Sequence, residues 1–469
     1  MSQQTATRKS EVNLPKCLIS IIIAVSISFI PPPQGLTSDA MLYIGIFFAM
    51  IIALVINAGP DWVVTTFAAL SLVALKLAPL SRAMANFAGS FFWTLLGAMG
   101  FASCVVKSGL MKRIAFNVLK FFPPSYTGQV LAIASVSIVM TPLIPSTSAK
   151  LGIIAPFTAS VASETGMEPH SKGLKGLWFV MFTLTYVCAF TILTGGSPNF
   201  IMLGTIPAEE AVKFTWTYWF QACALWWLIV AAGTVLIAIF FFQPDKPINM
   251  SKDFIKSKIA ELGPMSSDEK VAGIALAGAV ILYTTESFHG LNATVVSWMA
   301  FFVVIARGMF SSKDVGKLPW GLLVFIASML GVADHMGPSG VNDWLGETFA
   351  PIVIRYIPNS FVFVIVVIVV TWILRLGVDL FSIIPISMAI FGPVAAALGY
   401  SPWLVVWLAF INGQQWLLPH NQIQQVQSSG MMGNVIVHED IKNMSWLYML
   451  LGLGASLASV PVWTAMGLF

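Results

Sequence analysis

Charged residues are scarce in this chain. Only 9% of its 469 residues are Asp, Glu, Lys or Arg, whereas 57% are hydrophobic, and the mean hydropathy is +0.85. An ordinary soluble protein is about 25% charged, so this chain lacks the groups needed to cover a globular surface. A disordered chain is excluded because such chains are poor in apolar residues. The composition therefore predicts a polytopic membrane protein.

Cysteine is also scarce, and the usual catalytic and metal-binding motifs are missing. Neither an HExxH nor a GxSxG motif occurs, which argues against a membrane-embedded enzyme. The basic residues are scattered, so we expect no nucleic-acid partner. We also expect no cofactor, no metal site and no catalytic residue. The four cysteines lie inside apolar segments, at spacings that match no zinc or thioredoxin pattern: Cys17, Cys104, Cys188 and Cys223.

Long apolar segments, by contrast, follow one another along the chain. A helix needs about 20 mostly apolar residues to cross a membrane. Two segments, 127–165 and 358–398, are too long for one crossing, and prolines interrupt them at Pro142, Pro145 and Pro385. We interpret both as re-entrant hairpins, which leaves eleven full transmembrane helices. Those helices are predicted at 17–31, 40–58, 61–80, 88–107, 174–205, 215–243, 270–287, 291–306, 319–336, 401–429 and 443–467.

The distribution of lysine and arginine supports this interpretation. With the N-terminus in the cytoplasm, eighteen of the 24 basic residues fall on the inside, in agreement with the positive-inside rule. We therefore expect a multi-pass protein of the plasma membrane, of the bacterial inner-membrane type, with its C-terminus outside. The remaining basic residues are Lys76, Arg82, Lys213 and Arg355 on the outside and Lys150 and Arg375 in the hairpins.

The two halves of the sequence resemble each other. Each has an amphipathic stretch, at 111–122 or 340–350, then a hairpin, then an apolar segment interrupted by a short polar element. Inverted repeats with re-entrant hairpins and broken helices are typical of secondary transporters with a binding site near the membrane midplane. The alternative for any one of these interruptions is a kink in a packed helix. A channel is an alternative class of function, but a channel does not need matched hairpins. The polar elements are Gly195-Gly196-Ser197-Pro198-Asn199 and Leu418-Pro419-His420-Asn421-Gln422.

Three consecutive hydroxyl residues, Ser146, Thr147 and Ser148, lie at the tip of the first hairpin, and Lys150 follows them. Hydroxyl groups and the free N–H groups at the start of a helix together suit an anion. The alternative is that the hydroxyls only cap the helix after the tip. For Lys150 the alternative is that its side chain reaches back to the membrane surface.

The run from Pro145 to Lys150, with Pro156 downstream, resembles the Ser-Asn-Thr signature of the divalent-anion/sodium symporter family. The Gly195–Asn199 element resembles the same family. The basic residue Lys150, two places after the three hydroxyl residues, resembles one branch of this family, which contains citrate and tartrate exchangers and 2-oxoglutarate/malate translocators. The resemblance implies a homodimeric elevator transporter for dicarboxylates or tricarboxylates, in which hairpins and broken helices move against a scaffold.

Under this resemblance the chain divides into alternating parts. The scaffold comprises 17–122 and 270–350, with interfacial helices at 111–122 and 340–350. The transport domain comprises 127–243 and 358–469, with broken helices at 174–205 and 401–429. The tail 1–16 and the loop 244–269 are expected in the cytoplasm.

The second half departs from the family pattern. Ile383, Ile384 and Pro385 stand where the first half has its three hydroxyl residues, and His420 stands opposite Pro198. Because sodium-coupled members use these elements as oxygen ligands, the loss of one signature argues against a second sodium site.

Lys150 and His420 are candidates to replace sodium as fixed cations. An empty carrier with unpaired buried charge would cross the membrane at a high cost, so only the loaded form would move, which is exchange. Sodium symport is the alternative. For His420 the alternative is a hydrogen bond with Gln414, Gln415 or Gln422, and we expect Arg375 and Asp379 to pair with each other.

The expected partners are small dicarboxylates such as 2-oxoglutarate, malate, succinate or fumarate, the lipid bilayer and a second copy of the chain. The candidate substrate-binding residues are Ser146, Thr147, Ser148, Lys150, Gly195, Gly196, Ser197, Asn199, Ser382, Pro385, His420 and Asn421.

Overall fold

The computed structural model describes residues 12–142, 144, 146–246, 248, 252–341, 343–345, 347–348 and 356–469. These residues form helices, turns and connecting segments, and no β-strand occurs among them. The prediction of an all-α fold is therefore confirmed.

The helices of at least nine residues in this part of the chain mostly lie close to the predicted apolar segments, whereas one of them, Lys252–Glu261, lies in the polar loop 244–269. They are α1 Leu14–Ser28, α2 Ser38–Val55, α3 Asp61–Ala74, α4 Ser90–Ser108, α5 Leu110–Leu119, α6 Tyr126–Met140, α7 Thr147–Glu164, α8 Lys172–Phe182, α9 Ser197–Thr205, α10 Trp216–Phe241, α11 Lys252–Glu261, α12 Ser267–Thr284, α13 Ala293–Ala306, α14 Trp320–Ala333, α15 Ser360–Leu374, α16 Ile383–Leu398, α17 Pro402–Asn412, α18 Ile423–Met431 and α19 Met444–Ala465. Single helical turns lie at Leu80–Ala83, Ala208–Ala211, Glu286–His289, Ser312–Val315 and His438–Ile441.

Several of these helices are long and apolar enough to cross a membrane. Five qualify within the described residues when α8 is counted with the turns that continue it to Thr191: Ser38–Val55, Ser90–Ser108, Lys172–Thr191, Trp216–Phe241 and Met444–Ala465. The shorter apolar helices have 10–17 residues. At 1.5 Å per residue, such a helix falls short of a hydrocarbon core of about 30 Å. The count of eleven full spans stays a prediction.

The chain divides into two compact units. The first comprises Met1–Phe92, Pro319–Tyr356 and Met388–Leu398. Within it, α2 packs against α1 and α3, and α14 packs along α3. Helices α1 and α2 approach closely at Gly45, where a Cβ atom would lie 2.6 Å from the carbonyl oxygen of Ala24. The Asn86 amide donates to the Asp334 carboxylate at 2.7 Å and ties the turn before α4 to the end of α14.

The second unit comprises Trp93–Leu318, Ile357–Ser387 and Gly399–Phe469. Its centre is α10, which packs against α8 and α19, and α6 and α7 pack against α8. Large aromatic side chains fill this core: the rings of Trp403 and Trp407 are stacked at 5.4 Å, and Trp219 meets both edge-on. All the residues of the candidate site lie in this unit.

A similar succession of helices occurs twice along the chain. Helices α6 and α15 have 15 residues each, and α7 and α16, which follow them, have 18 and 16. Next come α8 and α17 with 11 residues each, then α9 and α18 with nine each. The similarity between the halves thus extends to the lengths of their helices.

Helix α5 has the amphipathic character expected for the first interfacial helix. Its buried residues include Met111, Ala115 and Leu119, which share one face. From another face, the Arg113 guanidinium donates to the Glu269 carboxylate at 2.8 and 3.1 Å. The second predicted interfacial helix, 340–350, lies partly outside the described residues, because 342, 346, 349 and 350 are not among them.

Candidate functional site

The first broken helix loses its regular hydrogen bonding after Phe182. A π-helical turn at Thr183–Val187 and 3₁₀ turns at Cys188–Thr191 and Leu193–Gly195 follow, and α9 then begins at Ser197. Ile192 and Gly196 are extended, so this backbone leaves carbonyl groups outside any helical ladder. The side-chain amide of Asn199 donates to two of them, the carbonyls of Ile192 at 2.7 Å and Leu193 at 3.2 Å.

Glycine is required at the turn of this loop. The N–H of Gly195 donates to the Ile192 carbonyl at 2.7 Å, which folds the chain back on itself. A Cβ atom on Gly195 would lie 1.9 Å from the carbonyl oxygen of Ala189, which is far inside contact distance. The backbone at residue 195 therefore lies too close to the Ala189 carbonyl for any residue that has a Cβ atom.

Lys150 joins the first hairpin to this loop. Its side chain has 0% exposure, and its ammonium donates to the Gly195 carbonyl at 2.7 Å. No acidic residue in the described part of the chain forms an ion pair with it. The alternative, in which the side chain reaches back to the membrane surface, is therefore wrong, because the Gly195 carbonyl of the broken helix binds the ammonium inside the protein.

The three hydroxyl residues at the tip have different surroundings. The Ser146 hydroxyl accepts the N–H of Ala149 at 3.3 Å and so caps α7. Thr147 is half-buried and Ser148 is exposed. Gly196 is buried, and Ser197 is half-buried at the first position of α9. Capping is thus the role of Ser146 in this structure, and the N–H groups of Thr147 and Ser148, the first two of α7, have no intrahelical partner.

The second broken helix has a different internal bonding pattern. Helix α17 ends at Asn412, a 3₁₀ turn lies at Pro419–Asn421, and α18 begins at Ile423 after an extended residue. The Asn421 side chain accepts the N–H of Leu418 at 3.0 Å and donates to the Arg375 carbonyl at 2.6 Å. Both polar atoms of this side chain are therefore occupied.

Arg375 occupies the centre of the second loop. Its side chain is 1% exposed. Its guanidinium donates to the carbonyls of Gly413 at 2.8 Å, of Val378 and of Asn421. Three separate segments are thereby held by one planar group.

The predicted pairing of Arg375 with Asp379 is wrong. The Asp379 carboxylate instead accepts the backbone N–H groups of Phe381 at 2.9 Å and Ser382 at 3.0 Å. Backbone groups that the broken segments leave free compete successfully for both side chains. Ser382 and Pro385 are buried at the start of α16, beside this turn.

His420 lies at the edge of this cluster. Its side chain is exposed, and its Nε2 atom lies 3.2 Å from the Leu376 carbonyl. It does not bond the three glutamines considered as its alternative partners. His420 is thus not the buried cation of the second loop; Arg375 takes that place, and an arginine inside an apolar segment is itself a signal of a functional position.

Buried amide side chains connect the two halves. The Tyr186 hydroxyl donates to Gln422 at 3.3 Å, and the Gln422 amide donates to Gln414 at 2.9 Å. Helix α18 also packs against α7. Among the described residues, several buried polar atoms near these loops have no hydrogen-bond partner, including the amide atoms Oδ1 of Asn199, Nε2 of Gln414 and Oε1 of Gln415. Such atoms are costly unless water or a ligand satisfies them.

Comparisons with known proteins find relatives that are transporters. An uncharacterized transporter of Haemophilus influenzae is 24% identical over 94% of this chain and 98% of its own length. Dicarboxylate transporter 1, chloroplastic, of Spinacia oleracea is 24% identical over 72% of this chain and 60% of its own. The L-tartrate/succinate antiporter of Shigella dysenteriae is 22% identical over 76% of this chain and 78% of its own.

A similar fold has been solved. The structure of the Alcanivorax borkumensis YdaH transporter matches 87% of this chain and 98% of its own, with a TM-score of 0.56 and 15% identity. The family described as the sodium:sulfate symporter transmembrane region matches residues 11–430. The chain is therefore a multi-pass membrane protein that belongs to the sodium:sulfate symporter transmembrane family.

Proposed function

We propose that this protein is a secondary transporter that exchanges dicarboxylates across a bacterial inner membrane. The names of its relatives support the substrate class, since one is a dicarboxylate transporter and another is a tartrate/succinate antiporter. Succinate, malate, fumarate and 2-oxoglutarate are the substrates we favour.

The contact between Lys150 and Gly195 carries the proposal of exchange. A bound sodium ion needs several oxygen ligands, and the carbonyls of a broken helix are suited to that role. Here the Lys150 ammonium already occupies the Gly195 carbonyl at 2.7 Å. A fixed charge at this position travels with the protein in both directions, whereas a sodium ion leaves with the substrate. Return of the empty carrier would then bury an uncompensated cation, which favours obligatory exchange.

The anion itself would bind at the first hairpin tip. One of the three N–H groups of the Lys150 ammonium is used by Gly195, so two remain for a carboxylate. The hydroxyls of Thr147, Ser148 and Ser197 and the N-terminal N–H groups of α7 complete the proposed cradle. In the second half, Arg375 and Asn421 hold the loop, while Ser382, Pro385 and His420 form the outer side of the proposed site.

The repeated helix lengths support an elevator mechanism with inverted repeats. In each half, a helix of 15 residues and a helix of 16–18 residues precede a broken helix, and the 15-residue members are too short to span the bilayer squarely. We propose that these pairs are re-entrant hairpins, and that they move together with the broken helices against a scaffold that forms a homodimer.

Counterflow in liposomes tests the exchange proposal. The purified protein is reconstituted into liposomes that are either empty or loaded with succinate, and uptake of labelled succinate is measured in sodium and in choline buffers. We expect uptake only into loaded liposomes, and equally in both buffers. Uptake that needs sodium and ignores internal succinate would overturn exchange.

Sodium symport is the second candidate, and one observation favours it. The buried Oδ1 atom of Asn199 has no partner among the described residues, and an amide oxygen can coordinate sodium. If sodium binds there, the uptake rate will rise with sodium concentration in loaded and in empty liposomes alike.

A further inference from the structure

A cleft of about 450 Å³ lies away from the candidate site, at the ends of three helices of the second unit. Its walls come from the start of α8, the end of α10 and the start of α19. Its volume is in the range of about 300–1,000 Å³ that is typical of small-molecule sites. The lining residues are Lys172, Lys175, Phe242, Asp440, Asn443, Met444 and Leu447.

The polar side of this cleft offers donors that nothing else uses. Lys172 is exposed and makes no ion pair or hydrogen bond within the described part of the chain. The preceding residue, Ser171, does not cap α8 with its side chain, and its buried hydroxyl lacks a partner among the described residues. The first N–H groups of α8 therefore have neither a capping oxygen nor an acidic residue in the first turn. This end of α8 suits an anion.

The acidic residue in the cleft is already compensated. The Asp440 carboxylate accepts His170 Nδ1 at 2.6 Å, the N–H of Val437 at 2.9 Å and the Lys175 ammonium at 3.2 Å. Burial raises the pKa of Asp440, but these bonds outweigh burial and hold its pKa below the ordinary value. Asp440 thus fixes Lys175 in place, and Lys172 remains as an uncompensated charge.

The other side of the cleft is apolar and borders a lipid-facing surface. Phe242, Met444 and Leu447 line it. The two residues before Phe242, Phe240 and Phe241, are 69% and 68% exposed at the end of a 26-residue apolar helix. Phenylalanines exposed at the end of a helix that is long and apolar enough to cross a membrane suit contact with lipid, which places the cleft at the level of the headgroups. Free phosphate would gain nothing from the apolar wall, whereas a phospholipid has both parts.

We propose that this cleft binds the phosphate of an anionic phospholipid headgroup between Lys172, Asn443 and the start of α8, with its acyl chains against Phe242 and Leu447. Basic pockets between membrane helices bind such headgroups in other proteins. The proposal is independent of the substrate that the protein transports.

Native mass spectrometry of the purified full-length protein tests the proposal. Dioctanoyl phosphatidylglycerol, dioctanoyl phosphatidylcholine and inorganic phosphate are titrated separately. We expect one tightly bound phosphatidylglycerol, weaker phosphatidylcholine, and no competition from phosphate. Equal affinity for the two lipids would refute recognition of the anionic headgroup, and phosphate that binds and displaces phosphatidylglycerol would identify a free-anion site instead.

Variants connect the binding to this cleft. K172A should weaken phosphatidylglycerol binding by about fivefold, the size of one lysine–lipid charge contact, and K172R should restore it. K270A removes another exposed, unpaired lysine and should bind like the wild type. Unfolding temperatures check that each variant is folded, and N443A serves as a second probe if K172A is not. Unchanged binding in a folded K172A or N443A variant would overturn the proposal.

Discussion

In both broken-helix loops a buried cation binds backbone carbonyls, but this cation is a lysine in the first loop and an arginine in the second. In the first half, Lys150 reaches one carbonyl, that of Gly195, from the helix after the hairpin tip. In the second half, Arg375 reaches the carbonyls of Gly413, Val378 and Asn421 from the end of the helix before the tip. Both side chains are at most 1% exposed. Each loop therefore has a buried cation against its free carbonyls, but the two cations come from different positions.

This difference separates a structural cation from one that is available to a ligand. The planar guanidinium of Arg375 donates hydrogen bonds to three backbone segments, so it fixes their relative positions. The Lys150 ammonium has one protein partner and two further N–H groups. We therefore expect the second loop to depend on its cation for stability and the first loop to depend on its cation for transport.

Replacing each cation by methionine tests this division, and Arg375→Met should have the larger effect on stability. It leaves three carbonyls inside the protein without their donor, and we expect a loss of about 3–5 kcal/mol in the free energy of unfolding. The measurement is the unfolding midpoint in denaturant for the purified protein.

Arg307→Met is the matched control for Arg375. Arg307 is half exposed and lies 3.6 Å from Asp268, so its loss should cost less than about 1 kcal/mol. Equal destabilisation by the two substitutions would contradict a central structural role for Arg375.

Lys150→Met should abolish exchange while the protein stays folded. The lost bond to Gly195 is offset by the removal of a buried charge, so we expect the free energy of unfolding to change by less than about 1–2 kcal/mol. Losing a charge opposite a carboxylate weakens binding by about 2–5 kcal/mol, which is enough to stop counterflow. Counterflow at the wild-type rate would show that the ammonium does not contact substrate, and Lys150→Arg reports whether charge alone suffices.

The sequence predicts the first loop better than the second, for a physical reason. Around Lys150, the hydroxyl run, the lysine and the glycine pair are local signals, and the structure brings the lysine and the glycines together. In the second half no hydroxyl run marks the tip, and the side chain that matters, Arg375, lies in the apolar run before it. Its contact with the Asn421 carbonyl spans 46 residues, nearly the same as the 45 residues between Lys150 and Gly195, so the difference between the loops is the missing motif and not the sequence separation. Periodicity suggested an i,i+4 partner for Arg375, but three backbone carbonyls accept from its guanidinium, and Asp379 accepts backbone N–H groups instead.

Most of the apolar helices were predictable to within a few residues, because apolar length and helix-stopping residues are local properties, whereas α11 in the polar loop was not predicted. The predicted interruption of 358–398 lies before Pro385: α15 ends at Leu374, Asp379 caps the turn before α16, and Pro385 lies inside the first turn of α16, where its missing N–H costs nothing. What the sequence does not contain is the partner of each free carbonyl, since those pairings depend on tertiary packing.

Gly195→Ala tests how tightly the first loop is folded back. The added Cβ would lie 1.9 Å from the Ala189 carbonyl, so we expect a loss of about 1–3 kcal/mol in the free energy of unfolding and a loss of counterflow, because the carbonyl of residue 195 moves away from Lys150. Gly152→Ala is the control, since a Cβ there meets nothing within 4 Å and should stabilise α7 by about 0.5–1 kcal/mol. A Gly195→Ala protein as stable as the wild type would show that this turn relaxes easily.

The smallest expected effect separates the two asparagines. Asn421 uses its oxygen and its amide, whereas Asn199 uses only its amide and leaves Oδ1 buried without a partner among the described residues. Asn421→Ala should therefore cost about 1 kcal/mol more stability than Asn199→Ala, since the latter also removes a group that was buried unsatisfied.

Transport should show the opposite order of the two asparagine variants. An oxygen without a protein partner is available to a ligand, so Asn199→Ala should raise the substrate concentration needed for half-maximal counterflow more than Asn421→Ala does. If both variants change stability and transport equally, the two loops are equivalent and the division between a structural and a ligand-binding loop fails.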